Sequence, residues 1–316
     1  MAADAGSVTE TVLAVLNPYS VVLVCVFITV FAQGKYVWLL LDFFVSLVCG
    51  VSFLLTPHVL LSLQTSVKLD LVSLHLMRAI GTMMLSSAFF AYFAYVSTSL
   101  VVKEAFAHAR VIGNIPLLLA MTYAQIYYTE FSLEHIQFGI VGCVCWTLGP
   151  LYCLLSSRSV SKTSSAAYDF FVLVDFIATG VCGCAWYAFP HWVLRYQITD
   201  PPNGVSVHLT RGFAAMMIGS AFLSYSATHF SQPEMKRVVL LARIVGAIPL
   251  LIEVIAAQVR GAFSLFHIFA GVSGAGFWIG NALLGFLVLN YVDNIGGFEP
   301  EFTSSPLDRS QHDHAS

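Results

Sequence analysis

Charge is what this chain has least of. Only 10 % of its 316 residues are Asp, Glu, Lys or Arg, against about 25 % in soluble domains. Apolar residues (AVILMFWYC) make up 58 %, and the mean hydropathy is +0.81. A soluble fold of this length would have little with which to coat its surface, which excludes an ordinary cytosolic enzyme and a disordered protein. There is no basic block and the net charge is −3, so no nucleic-acid partner is expected. No Asn-x-Ser/Thr sequon occurs, so N-glycosylation is not expected. Phosphate loops, nucleophile elbows, nucleotide-binding glycine patterns, HExxH spacings and catalytic Cys/His arrangements are all missing. The seven cysteines (Cys25, Cys49, Cys143, Cys145, Cys153, Cys182 and Cys184) fall mostly inside apolar stretches and suggest no disulfide framework.

What remains is a polytopic α-helical membrane protein. A span needs about 20 apolar residues. Residues 11–34 are uncharged and no Lys or Arg precedes Lys35. The stretch therefore reads as a first span, bent at Asn17-Pro18, rather than as a signal peptide with its basic start. Further spans are expected near 36–56, 75–97, 104–128, 134–155, 168–189, 207–229, 237–258 and 265–291. That makes nine, or eight if the first lies in the interface. Lys35, Lys103, Arg158, Lys162, Lys236, Arg237 and Arg309 fall on one side, and Lys68, Arg195 and Arg260 on the other. Seven against three places the first side in the cytoplasm. The N-terminus, with Asp4 and Glu10, is then outside or lumenal. The polar tail at 293–316, with Ser305-Pro306, is then cytoplasmic and disordered.

The most informative pattern is an internal duplication. Shifted by 133 positions, residues 42–94 fall on 175–227 with identity at 21 of 53. Asp42 meets Asp175, Pro57-His58 meets Pro190-His191, Gln64 meets Gln197, and His75 and Arg78 meet His208 and Arg211. Farther on, Arg110 meets Arg243 and Gly113 and Pro116 meet Gly246 and Pro249. After a one-residue deletion, His135 meets His267 and Trp146 meets Trp278. The expected organisation is an N-terminal segment 1–34, a four-helix repeat at 35–157, a linker at 158–167 and a second repeat at 168–292. An even number of spans per unit makes the repeats parallel.

Charge inside a bilayer needs a partner or a purpose. Asp42 lies seven residues after Lys35, and Arg110 seven after Lys103. The two are thus at similar depth on different helices, and the spacing predicts ion pairs Asp42–Arg110 and Asp175–Arg243. At the opposite face, His58 ends one span, His75 and Arg78 open the next with Tyr92 near their stripe, and His135 opens the fourth. With His191, His208, Arg211 and His267 they form a duplicated polar rim. Three readings are open for this rim: capping and snorkelling groups, a vestibule for an anion or lipid headgroup, or histidine ligands for haem or metal. No metal-ligand spacing is present, so no metal is assigned. Glu253 stands apart as a mid-membrane acid whose counterpart is Ala120; it is either an unpaired functional group, or neutral or bonded to a neighbouring helix. Pro116 and Pro249 predict kinks, and Gly113 and Gly246 predict close helix approach.

The unit is carried by DFFVSLVCGVSFLLTPH, HLMRAIGTMMLSSAFFAY and ARVIGNIPLL. It resembles the DoxX-like four-helix membrane proteins and the p53-inducible tetraspan proteins, here doubled in one chain. The resemblance implies a four-helix bundle per unit and, for some relatives, quinone-linked thiol or thiosulfate oxidation. It assigns no catalytic residue. The leading functional expectation is a non-enzymatic multi-pass protein that holds or moves a small solute, a proton or a lipid between its repeats. It carries no predicted cofactor, and its partner is the lipid bilayer. Two alternatives stand beside it: a membrane oxidoreductase subunit with haem or quinone, and a scaffold whose tail binds a cytoplasmic partner. The sequence says nothing of oligomeric state.

Overall fold

The structure, a computed structural model, describes residues 18–34, 36–155 and 166–296. The acidic N-terminus, most of the linker and the tail beyond 296 lie outside these residues. So do Lys35, Arg158, Lys162 and Arg309, four of the cations on which the expected sidedness rests.

In the first half, α1 covers Pro18–Gln33, α2 Val37–Leu55, α3 Pro57–Ser62, α4 Leu71–Val96 and α5 Leu100–Tyr127. A π-helical turn, His135–Ile140, runs directly into α6, Val141–Leu155. In the second half, α7 covers Ala166–Ala188, α8 Pro190–Gln197, α9 Gly204–Ala227, α10 Pro233–Val259 and α11 Leu265–Gly296. Among the described residues the only strand-like pairings are two isolated bridges, Thr65 with Phe131 and Ile198 with Phe263. The offsets found in the sequence relate one bridge to the other. The protein is an all-α polytopic membrane protein.

Among the described residues seven helices are long and apolar enough to cross a bilayer: α2, α4, α5, the π-turn with α6, α7 from Asp169, α10 and α11 to Val288. Two expected spans are not among them. Helix α1 is described from Pro18, over 16 residues; the first part of the expected span, 11–17, lies outside the described residues. Helix α9 has 24 residues but is less apolar. The reason is its position: Ser206, His208, Thr210 and Ser224 are all buried. A helix enclosed by other helices has no lipid-facing surface to keep apolar. Helix α11 runs on to Gly296, past the expected end at 291.

Local chemistry sets several boundaries. Pro57 and Pro190 open α3 and α8, and a proline has no N–H with which to continue α2 or α7. Asp70 accepts from the Ser73 amide at 2.6 Å and Asn203 from the Ser206 amide at 2.8 Å, capping α4 and α9. The Asn203 side-chain amide also donates to Asp70 at 2.9 Å, so the two helix starts are tied to each other.

These two helices form the centre. Helix α4 packs along α2, α9 and α10 and only grazes α5, its successor in sequence. Helix α9 packs along α7, α5 and α4 and only grazes α10. Each half thus lends its second span to the other half. Missing side chains allow the exchange. A Cβ on Gly219 would lie 2.7 Å from the Ala109 carbonyl and 2.9 Å from Gly113 Cα, so α9 and α5 meet backbone to backbone. At the matching crossing of α4 and α10, Gly246 lies against Ser86, whose hydroxyl donates to the Ala242 carbonyl at 2.6 Å. Pro116 and Pro249 lie inside α5 and α10. The Tyr187 hydroxyl on α7 donates to the Pro116 carbonyl at 2.9 Å.

Candidate functional site

At one end of the bundle, Arg110 of α5 grips Asp42 of α2 through both fork nitrogens, Nε to Oδ2 at 2.9 Å and Nη2 to Oδ1 at 2.8 Å. Ser46 accepts from the same Nη2 at 2.6 Å, and the Trp146 indole on α6 donates to Asp42. Asp42 is fully buried. The matching pair is Arg243 of α10 with Asp175 of α7, Nε to Oδ2 at 2.8 Å. Ser220 and Ser224 of α9 complete it. Both acids and both arginines stand where the spacing puts them. Ser46 and Trp146 belong to the set as well. The recurrence of Trp146 as Trp278 is the signal for it, since the Trp278 indole donates to Thr179 at 2.8 Å beside Asp175.

At the other end, the rim is rearranged from the expected one. It does not assemble repeat by repeat. His135, at the π-turn before α6, meets His208 of α9, ring centroids 5.2 Å apart. His75 of α4 meets His267 of α11 at 4.9 Å. Each pair is covered by a phenylalanine, Phe131 or Phe263. Each is also held by a glutamine, with Gln64 Oε1 3.3 Å from His135 Nδ1 and Gln197 Oε1 3.2 Å from His267 Nδ1. The β-bridges bring these glutamines to their histidines, through Ser132 N to Gln64 O and Ser264 N to Gln197 O. His58 and His191 are not part of either cluster. They lie exposed in the first turns of α3 and α8, where the backbone has already left the bundle. Tyr92 sits at the opposite end of α4 beside Phe43.

Glu253 is corrected from a mid-membrane acid to one near a helix end, and it is paired. Its Oε1 accepts from Arg78 Nη1 of α4 at 3.2 Å and from Arg260 Nη1 at 2.9 Å, and lies 3.5 Å from His75 Nδ1. Counting depth from Pro249 hides this; counting back from Arg260, one residue past the end of α10, shows it. The carboxylate fastens α4 of one half to α10 of the other. Glu253→Gln is expected to cost about 1–3 kcal/mol, the loss of charge-assisted hydrogen bonds to Arg78 and Arg260, read as a lower midpoint of denaturant unfolding in detergent. An unchanged midpoint would remove Glu253 from the fold's fastenings.

Between these ends lies a cavity of about 440 Å³. Side chains from α2, α4, α5, α6 and α9 supply most of its wall, and most of them are apolar, among them Met77, Met84, Met121 and Phe53. Arg110 and Arg243 reach it at one end, His135 and His208 at the other. His135 Nε2 and His208 Nδ1 are buried and close no hydrogen bond of good geometry. Helices α7 and α11 pack against each other. Their counterparts α2 and α6 meet near the ion pair, where Trp38 presses on Gly149, and otherwise stand apart. Cys49 of α2, Phe138 of the π-helical turn and Gly142 of α6 wall the cavity there, and Phe138 is 40 % exposed. Leu23 of α1 also lines it. Helix α1 has wedged between α2 and α6, with Phe27 5.2 Å from Trp146. Among the described residues no three His, Cys, Asp or Glu side chains are placed to hold a metal ion, and the seven cysteines are free thiols.

An all-α polytopic fold, closed by ion pairs at one end and histidine pairs at the other, defines the class. The chain belongs to the family described as a domain of unknown function (DUF8292), whose model matches residues 40–287. One family model thus spans both halves and leaves α1 outside. No curated protein matches the chain, and no solved structure matches it.

Proposed function

We propose that this is a non-enzymatic multi-pass membrane protein that holds an amphipathic, lipid-like molecule with an uncharged head in the cavity between its two halves. The cavity itself carries the reading. Its volume falls in the range of small-molecule sites, and such sites pair apolar walls with a few placed polar groups. Arg110 and Arg243 bring no uncompensated charge to it, because Asp42 and Asp175 already neutralise them. The open nitrogens of His135 and His208 suit a hydroxyl or carbonyl on the ligand. Entry is sideways, between α2 and α6 past Phe138 and Gly142, so an apolar molecule need never cross water. In this reading the histidine end faces away from the cytoplasm, because Lys103, Lys236 and Arg237 sit at the opposite end.

Gly142 provides the test, since a Cβ there meets nothing within 4 Å. Gly142→Trp fills the entrance at little cost to the fold. The wild-type protein, purified in mild detergent and extracted for mass spectrometry, is expected to release a stoichiometric neutral lipid, and the variant to release none. Equal amounts from both proteins would sink the proposal.

A further inference from the structure

The two halves treat their duplicated arginines differently. Arg78 is neutralised by Glu253. The position that corresponds to Glu253 in the first half is Ala120, so Arg211, the counterpart of Arg78, has no such acid. No carboxylate among the described residues lies within 4 Å of the Arg211 guanidinium. The guanidinium is partly buried. It lies over the Tyr123 ring of α5, 4.8 Å from its centroid, and beside the side chains of Tyr128 and of Tyr187 of α7. Glu130, the acid near Tyr128, makes no ion pair with Arg211: its Oε1 accepts from the Gly204 amide at 3.1 Å, and Gly204 lies about 10 Å along α9 from Arg211. The contrast extends to the helix ends. Where the second half adds Arg260 to balance its acid, the first half has Tyr127.

A guanidinium at membrane depth needs a counter-charge. Tyrosine rings and one hydroxyl lessen that need without meeting it. We propose that Arg211 binds an anionic phosphate oxygen, taking from outside the chain the charge that Glu253 supplies to Arg78 within it. Arg211 presents a planar fork suited to two phosphate oxygens, and the Tyr128 hydroxyl adds a further donor. Tyr123 is 41 % and Tyr127 66 % exposed, as interfacial aromatics beside lipid headgroups are. Arg211 is not among the residues lining the central cavity, so this site is separate from the one proposed above. The phosphate belongs either to the headgroup of an acidic phospholipid or to free inorganic phosphate.

The symmetry of the chain supplies the test. Wild-type protein is reconstituted in phosphatidylcholine vesicles with and without phosphatidylglycerol, re-extracted in neutral detergent, and its bound acidic lipid counted by mass spectrometry. Uptake of radiolabelled inorganic phosphate is measured on the phosphatidylcholine sample. Wild type is expected to retain phosphatidylglycerol, and Arg211→Gln to bind it roughly five- to tenfold more weakly. Ala120→Glu places a carboxylate where the second half has one, and should lose the lipid as fully as Arg211→Gln while gaining thermal stability. Arg211→Lys keeps the charge and should keep most of the binding, so a loss in the glutamine variant is a loss of charge and not of fold. If Arg211→Gln does not fold, Ala120→Glu and Arg211→Lys give the same reading between them. Uptake of labelled phosphate by wild type and not by Arg211→Gln or Ala120→Glu would support the site and assign it to the free anion. Equal binding by wild type and Ala120→Glu, or no binding of either probe by wild type, would overturn the proposal.

Discussion

Arg110→Ala is expected to destabilise the protein by about 3–5 kcal/mol, the cost of leaving a buried carboxylate without its cation. Asp42 has no exposed surface. It accepts from two Arg110 nitrogens and from the Trp146 indole. After the substitution, the indole and Ser46 remain to face a full negative charge. Asp42→Ala should cost a similar amount, for the converse reason. The double variant Asp42→Leu/Arg110→Met removes both charges and should recover most of the loss, because two well-packed apolar side chains replace an ion pair at little net cost. Unfolding midpoints in detergent for the four proteins set the cost of breaking the pair against the cost of replacing it. Single losses below about 1 kcal/mol would mean that water reaches the pair and screens it. The same set at Asp175 and Arg243 should behave alike, since Ser220 and Ser224 there take the places of Ser46 and Trp146.

These ion pairs are legible in the sequence. Depth along a span follows from the rise per residue and the position of the flanking lysine, and depth alone put Asp42 beside Arg110. The histidine rim shows where that reasoning stops. Depth places His75, His135, His208 and His267 in one layer. It does not say which of two equivalent second spans comes to which fourth span. A duplicated sequence offers α4 nearly the same partners in α5 as in α10, and small differences decide. Gly219 against Gly113 and Ser86 against Gly246 are such differences, visible as residues but not as a pairing. The same ambiguity hid the partner of Glu253, which comes from the other half. His58 and His191 fall outside the layer because a proline after an apolar stretch can start a separate short helix, as Pro57 and Pro190 do, as well as end a span. Helix α9 shows that hydropathy reports lipid contact and not membrane crossing as such: the chain encloses it, so it carries His208, Thr210 and Ser224 without penalty.

The exchange of second spans has a large consequence for assembly. If each half were a self-sufficient four-helix bundle, either would fold alone in a membrane. Here α4 loses its long contacts with α9 and α10 when the second half is absent, and α9 loses α5 and α4 when the first is absent. The isolated first half would turn His75 and Arg78 toward lipid, and the isolated second half Glu253, His208 and Arg211. Each such group is costly there. Divided between residues 156 and 165, where neither α6 nor α7 is interrupted, the chain is therefore expected to fold only as a pair. Each fragment expressed alone should be degraded to background levels. The two expressed together should co-purify as a one-to-one complex with the thermal stability of the intact chain, less what the covalent link contributes. Glu253→Gln in the second fragment should weaken that complex, because the Glu253–Arg78 contact crosses between the fragments. Stable accumulation of either fragment alone would show that the halves are separate bundles after all, and would place the cavity within one repeat rather than between two.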